Sequence, residues 1–128
     1  MQKIVISTPL GPPAIGPYSQ GIRAGNLIFV SGQIALDPGT GALIDDMSVH
    51  AQSHKALQNL QGVLSGAGAA LGDVVKVTIY LDDMGNSKEV NAIYGEYFRH
   101  SPPARATVEV AALPLGVAIE IDCIALVG

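Results

Sequence analysis

Two segments with helical periodicity, separated by a strand-like segment, constrain the fold of this chain more than any other feature. Between residues 48 and 71, apolar side chains recur at spacings of three, four or seven, which is typical of an amphipathic helix. A second, shorter segment of this kind starts near Asn86 and ends before Pro102-Pro103, with Glu89 placed as a capping partner. Most of the remaining segments alternate or are rich in β-branched residues, so the chain combines two helices with several strands.

Six segments have the character of β-strands. They are bounded by glycine and proline turns, and the Gly25-Asn26 pair predicts a tight hairpin between the second and third of them. The order β, β, β, α, β, α, β, β predicts a single α+β domain over residues 1–128, with two helices on one face of a mixed sheet. The predicted strands cover residues 3–6, 22–24, 27–32, 73–81, 104–110 and 118–126.

A segment rich in proline and glycine, LGPPAIGPYSQG (Leu10 to Gly21), precedes the hairpin. Proline fixes φ and glycine permits tight bends, so this composition favours a fixed, extended path over a flexible linker. Tyr18 stands in this segment, where the residues alone indicate that its side chain packs the loop.

Charged residues are few for a chain of this length. They make up 14% of the sequence, against roughly a quarter in an ordinary soluble domain. This deficit suggests an oligomer that hides part of its surface. The net charge is −4 and no run of Lys or Arg occurs, so we expect no nucleic-acid partner.

Other compositional signals narrow the class of protein further. The single cysteine, Cys123, excludes an intramolecular disulfide and a cysteine-based zinc site, and we expect it to be buried. His50 and His54 are four residues apart, but no third ligand is evident and a solvated helix face is the better interpretation. No signal peptide or apolar run of membrane-spanning length occurs, so we expect a cytoplasmic protein that contacts no membrane.

One arginine stands in the strongly apolar C-terminal part of the chain. Side chains alternate along a strand, so Arg105 and Thr107 share one face of the fifth strand. If the last two strands pair as a hairpin turning near Leu113-Pro114, the arginine and Glu120 lie on one surface. Such a pair is a structural salt bridge, a bridge at an oligomer contact, or an anion site, since a guanidinium binds a small carboxylate through two parallel hydrogen bonds.

Several separated motifs resemble those of one known family. PARATVEVAALPLGVAIEI looks like the C-terminal signature of the RidA (YjgF) family, AIGPYSQG and FVSGQI resemble its other two motifs, and VNAIYGEYF resembles its second helix. The similarity covers nearly the whole chain, with the elements in the family's order. The resemblance implies a chorismate-mutase-like fold, assembled as a homotrimer with a barrel-like core and three pockets between subunits.

The resemblance also implies an activity, the hydrolysis of 2-imino acids such as 2-iminopropanoate and 2-iminobutanoate to 2-oxo acids and ammonia. It implies that Arg105 binds the substrate carboxylate and that Glu120 positions or activates the water. We expect no metal or other cofactor and no covalent nucleophile, because an iminium carbon is already electrophilic. Accordingly, Ser31, which lacks the G-x-S-x-G context of a nucleophile, is expected to form a pocket hydrogen bond. The residues that the resemblance places around the pocket are Tyr18, Ser31, Gly32 and Asn91.

One position departs from the family pattern. Many members carry a cysteine two residues after the arginine, and this chain has Thr107, which can offer a hydroxyl to a bound carboxylate or water.

The first hypothesis for the function is a cofactor-independent imine deaminase that removes reactive imino acids. The alternatives are a non-catalytic binder of small carboxylates or interaction protein on the same scaffold, and a ribonuclease or translation inhibitor, against which the acidic charge argues.

Overall fold

The computed structural model describes residues 2–128, in which six strands form one mixed sheet and two α-helices pack on one of its faces. The strand order is β1-β2-β3-β6-β4-β5, with β4 and β5 parallel and all other neighbours antiparallel. The predicted α+β class is confirmed. The elements are β1 (Lys3–Ile6), β2 (Gly21–Ala24), β3 (Leu27–Gln33), α1 (Val49–Gly66), β4 (Val74–Leu81), α2 (Ser87–Tyr97), β5 (Ala104–Glu109) and β6 (Ile119–Leu126).

Local sequence signals determine the hairpin between β2 and β3 and the start of helix α1. The predicted hairpin between β2 and β3 is present, and Gly25 adopts a φ of +62° in its two-residue turn, a conformation that glycine adopts without strain. Helix α1 begins after Ser48, whose Oγ accepts a hydrogen bond from the amide of Ala51 at 3.1 Å. This bond satisfies one of the amides that the first turn of a helix leaves unpaired.

Helix α1 ends earlier than predicted, at Gly66 instead of close to Gly72. Gly68 adopts a φ of +80°, and the amides of Gly68 and Ala69 donate to carbonyls of the last helical turn at 3.0 and 2.9 Å. This is a Schellman-type ending, which satisfies carbonyls that the helix end would otherwise leave free. Gly68 therefore ends the helix, and the apolar spacing that continues to residue 71 does not belong to the α-helix.

Helix α2 begins after Asn86 as predicted, but its cap differs from the prediction. The side chain of Asn86 makes no capping hydrogen bond, so the predicted pairing with Glu89 is wrong. The helix ends at Tyr97, five residues before Pro102, and the connection contains Ser101 with a φ of +46°. Among residues 2–128, no helix is both long and apolar enough to span a bilayer.

The last two strands do not form the predicted hairpin. Strand β5 instead pairs in parallel with β4, and β6 lies between β3 and β4. The reason is that α2 serves as the crossover from β4 to β5, and a crossover returns the chain parallel to the strand that it leaves. Because β6 buries every second side chain, it occupies the middle of the sheet, and β5, which carries charged residues, forms an edge.

The two faces of the sheet differ in what covers them. One face packs against α1 and α2 and forms the main core, which includes Cys123, whose burial raises the pKa of the thiol to about 12. No helix within residues 2–128 covers the other face, and we call it the open face. The side chains of the open face include Val5, Phe29, Tyr80, Val108, Glu120 and Asp122.

Candidate active site

A cavity of about 410 Å³ lies between the loop before β2, strand β3 and the start of β6. Four of the predicted site residues line it, and apolar side chains form most of the remaining wall. The lining residues are Pro12, Ile15, Tyr18, Gln20, Ser31, Gly32, Gln33, Ile34, Leu36, Pro114 and Glu120. The size is that of a small-molecule site.

The loop that walls the cavity is held in place by Gln20, whose side chain is buried. Its Oε1 accepts from the amide of Thr8 at 2.7 Å, and its Nε2 donates to the carbonyls of Thr8, Gly11 and Pro12 at 2.9, 3.1 and 2.7 Å. The sequence analysis did not identify this residue. The sequence feature that could have identified it is that Gln20 is the one carboxamide in the loop, because a carboxamide can both donate and accept hydrogen bonds.

Ser31 connects this loop to strand β3. Its Oγ donates to the carbonyl of Ser19 at 2.5 Å, and its amide donates to the carbonyl of Gln20 at 3.0 Å. Because the hydroxyl proton is engaged with the backbone, the serine oxygen can face the cavity only as an acceptor. Tyr18 is 49% exposed at the rim, and its hydroxyl accepts from the amide of Ile15 at 3.3 Å, which leaves the tyrosine proton for a ligand.

The carboxyl group of Glu120 packs directly on Gly32. A Cβ placed on Gly32 would meet Oε2 of Glu120 and would lie 2.8 Å from its Cδ. Only glycine therefore admits the observed position of the carboxyl group. Burial raises the pKa of Glu120, and the negative charge of Asp122, two residues along the same face of β6, raises it further. A carboxyl group with a raised pKa is suited to proton transfer near neutral pH.

Arg105 lies on the other face of the sheet from Glu120, contrary to the prediction that one surface holds both. In the sheet register Arg105 lies opposite Val77 of β4, and Val77 lies opposite Cys123 of β6. Val77 and Cys123 are buried against the helices, so Arg105 is on the face that the helices cover. The face of Arg105 differs from the prediction because β5 pairs in parallel with β4 and not antiparallel with β6. The guanidinium carbon of Arg105 lies 4.7 Å from the centre of the Tyr94 ring. Apart from this contact, the Arg105 side chain is exposed.

Two other predicted residues lie close to Arg105 in the fold and outside the cavity. Thr107 follows it on the same face of β5, and its Oγ1 is buried with no hydrogen-bond partner among residues 2–128. Asn91 is exposed on α2, one turn before Tyr94. We call Asn91, Arg105 and Thr107 the arginine group, and the site residues of one chain thus fall into two separate groups.

The two helix histidines differ in exposure: His50 is exposed, as predicted, and His54 is not. Nδ1 of His54 lies 2.7 Å from the hydroxyl of Tyr97, and the rings of His50 and His54 are 4.7 Å apart. His54 is half-buried, so the prediction of a solvated face is wrong for this residue. In the described part of the chain, no group of three or more His, Cys, Asp or Glu side chains is placed to hold a metal ion.

Comparison with known proteins gives matches over almost the whole chain. The family model for endoribonuclease L-PSP matches residues 8–127. A 2-iminobutanoate/2-iminopropanoate deaminase of Mus musculus is 47% identical over 124 residues, which cover 97% of this chain and 91% of the mouse protein. The structure of the E. coli YjgF gene product has a TM-score of 0.89 at 43% identity, covering 96% of this chain and 98% of that one. E. coli TdcF with bound serine has a TM-score of 0.91 at 36% identity, covering 98% and 99%.

The family match begins before the cavity loop and ends in the last residues of the chain, so it includes the cavity residues and the arginine group. The solved relatives reproduce the same sheet and helices with nearly complete coverage of both chains. The chain therefore belongs to the RidA (YjgF) family.

Proposed function

We propose that this protein hydrolyses 2-imino acids, such as 2-iminopropanoate and 2-iminobutanoate, to 2-oxo acids and ammonia. The observation that carries the proposal is the Glu120 carboxyl group, which packs on Gly32 in a cavity wall and has its pKa raised by burial. Such a group accepts a proton near neutral pH more readily than an exposed glutamate does. The name of the mouse relative, a 2-iminobutanoate/2-iminopropanoate deaminase, supports the same reaction class.

In this proposal the arginine group reaches the cavity from a neighbouring copy of the chain in a homotrimer. Arg105 and Glu120 lie on opposite faces within one chain, and Arg105 is exposed on an edge strand. The open face also presents the apolar side chains Phe29 and Val108, which an oligomer would remove from water. The relative TdcF was solved with serine, a ligand that carries the kind of carboxylate that Arg105 would bind.

The reaction uses the side chain of Arg105 first and that of Glu120 second. Arg105 binds the carboxylate of the iminium form through two parallel hydrogen bonds, which fixes the reacting carbon beside Glu120. Glu120 takes a proton from water while the water oxygen bonds to C2 and the C=N π electrons move to nitrogen. Glu120 then returns that proton to nitrogen. As the C–N bond breaks, the hydroxyl group of the carbinolamine loses its proton to Glu120, and Glu120 passes this proton to the departing ammonia. The products are a 2-oxo acid and ammonium, and Glu120 is again a carboxylate.

The test is hydrolysis of freshly generated 2-iminobutanoate by wild type, Arg105→Ala and Glu120→Gln. We expect Arg105→Ala to lower kcat/KM roughly tenfold to a few hundredfold, the value of a charge-assisted hydrogen bond. Glu120→Gln should lower kcat by roughly 10²–10⁴-fold, as loss of a general base does. Matched controls are Arg99→Ala and Glu109→Gln, which remove a cation and a carboxylate outside the cavity and should leave both constants unchanged. No acceleration by wild type would overturn the proposal.

Two results would favour the alternatives. Binding of 2-oxobutanoate that depends on Arg105, without turnover of any imino acid, would favour a non-catalytic carboxylate binder. RNA cleavage that Glu120→Gln abolishes would favour a nuclease, the activity in the description of the family model. The net charge of −4 argues against the nuclease, because phosphate-backbone binding depends on clustered cations.

A further inference from the structure

The aromatic ring beneath Arg105 is the strongest feature that the proposed reaction does not use. The guanidinium carbon lies 4.7 Å from the ring centre of Tyr94, within the range of a cation–π contact. The two residues come from different elements, α2 and β5, so their contact depends on the packing of the helix against the sheet edge. Arg105 itself is exposed on that edge.

The ring is held rigidly. Tyr94 is 6% exposed, belongs to the main core cluster and stacks on Phe98, one helical turn later, with the ring centres 4.6 Å apart and 29° between their planes. Packing of this kind holds a side chain in a low-energy rotamer on the time average. Its ring is therefore a fixed surface against which the flexible Arg105 side chain can rest before any ligand arrives.

We propose that Tyr94 is a positioning residue, whose ring holds the Arg105 guanidinium in the orientation that binds the substrate carboxylate. The inference rests on the proposed function, in which Arg105 is the carboxylate anchor. A guanidinium stacked on a ring keeps all five of its N–H donors at its edge, where a carboxylate accepts two of them in the same plane. Pre-ordering the arginine also removes part of the side-chain entropy that binding otherwise loses.

The tyrosine hydroxyl is not the active feature. It is buried with no hydrogen-bond partner in the described residues, and burial raises the pKa of Tyr94, so the group stays neutral. Its removal in Tyr94→Phe should leave binding and turnover intact. The ring face alone then accounts for the effect on Arg105, which separates this role from hydrogen bonding or proton transfer.

The experiment replaces Tyr94 with phenylalanine and then with its 4-fluoro, 3,5-difluoro and 3,4,5-trifluoro analogues. Fluorination withdraws charge from the ring face with little change in shape, so a packing role predicts equal behaviour along the series. We expect the Kd for 2-oxobutanoate and the KM for 2-iminobutanoate to rise stepwise, by roughly two- to thirtyfold in total, the range of a cation–π contact. The kcat should stay constant, because the carboxylate contact is the same in ground and transition states. A flat series would overturn the proposal.

A second measurement tests the role of the ring even if no imino acid is turned over. The Nε–H order parameter of Arg105, measured by NMR without ligand, should fall along the same series and stay at the wild-type value in Tyr94→Phe. An unchanged order parameter would refute the positioning role. If the order parameter falls but wild type binds no 2-oxobutanoate and turns over no imino acid, the positioning of Arg105 stands and the proposed function fails.

Discussion

Replacing Gly32 with alanine should impair catalysis by displacing the Glu120 carboxyl group. The added Cβ would lie 2.8 Å from Cδ and 3.1 Å from Cγ of Glu120, and closest to Oε2. Favourable contacts between such atoms are about 3.5–4.0 Å long, so the carboxyl group must retreat by about 1 Å. A misplacement of about 1 Å in a reacting group lowers the rate by roughly 10²-fold. The measurement is kcat/KM for 2-iminobutanoate, with thermal denaturation to confirm the fold.

The fold itself should survive this change, because the atoms that move are at the end of a flexible side chain. Gly72→Ala is the matched control, since a Cβ at Gly72 meets nothing within 4 Å and its backbone favours no glycine-specific conformation. We expect the control to retain wild-type kinetics. If Gly32→Ala is folded and also keeps wild-type kcat/KM, the position of the Glu120 carboxyl group does not matter and the argument for Glu120 as the base is refuted.

Three further predictions concern charge, stability and partners. Asp122→Asn removes the negative charge that raises the pKa of Glu120, and it keeps an oxygen that can accept from the Tyr80 hydroxyl, 3.0 Å away in the wild type. The acid limb of the pH profile of kcat/KM should therefore move to lower pH. An unmoved limb would exclude this coupling. Gly95→Ala, whose Cβ meets nothing within 4 Å on α2, should stabilise the protein by about 0.5–1 kcal/mol in urea denaturation, and a loss of stability would contradict the helix assignment. RNA binding should be undetectable by fluorescence anisotropy even at low salt, and salt-sensitive binding would contradict it.

Local features of the fold were predictable because neighbouring residues determine them. The hairpin at Gly25-Asn26 and the periodicity of both helices depend on residues close in sequence. The end of α1 was predicted too late because the apolar spacing continues to residue 71, past Gly68, whose positive φ ends the helix.

The sheet order was not predictable from alternation alone. Alternation assigns each side chain to one of two faces of its own strand, but it does not say which strands are neighbours. The pairing of β5 with β4 follows from the α2 crossover, and this pairing moved Arg105 to the face opposite Glu120. The family resemblance named both residues without indicating how one chain separates them.

Two supporting residues escaped the sequence analysis for a related reason. Gln20 acts through hydrogen bonds to backbone groups eight to twelve residues earlier, which no periodic pattern marks. Tyr94 fits the apolar face of α2, so its contact with Arg105 is visible only once the helix and the sheet edge are packed. Residue type alone favoured a core role for the tyrosine, and that role is also correct.

Mixing two impaired variants tests most directly the central claim that Arg105 and Glu120 from different chains complete each site. Arg105→Ala and Glu120→Gln are combined in equal amounts, dissociated, reassembled and assayed with 2-iminobutanoate. In a cyclic trimer each mixed assembly holds one site with both residues intact, so random mixing predicts about a quarter of wild-type activity. Activity that stays at the level of the separate variants, with subunit exchange confirmed by native mass spectrometry, would contradict a site shared between chains.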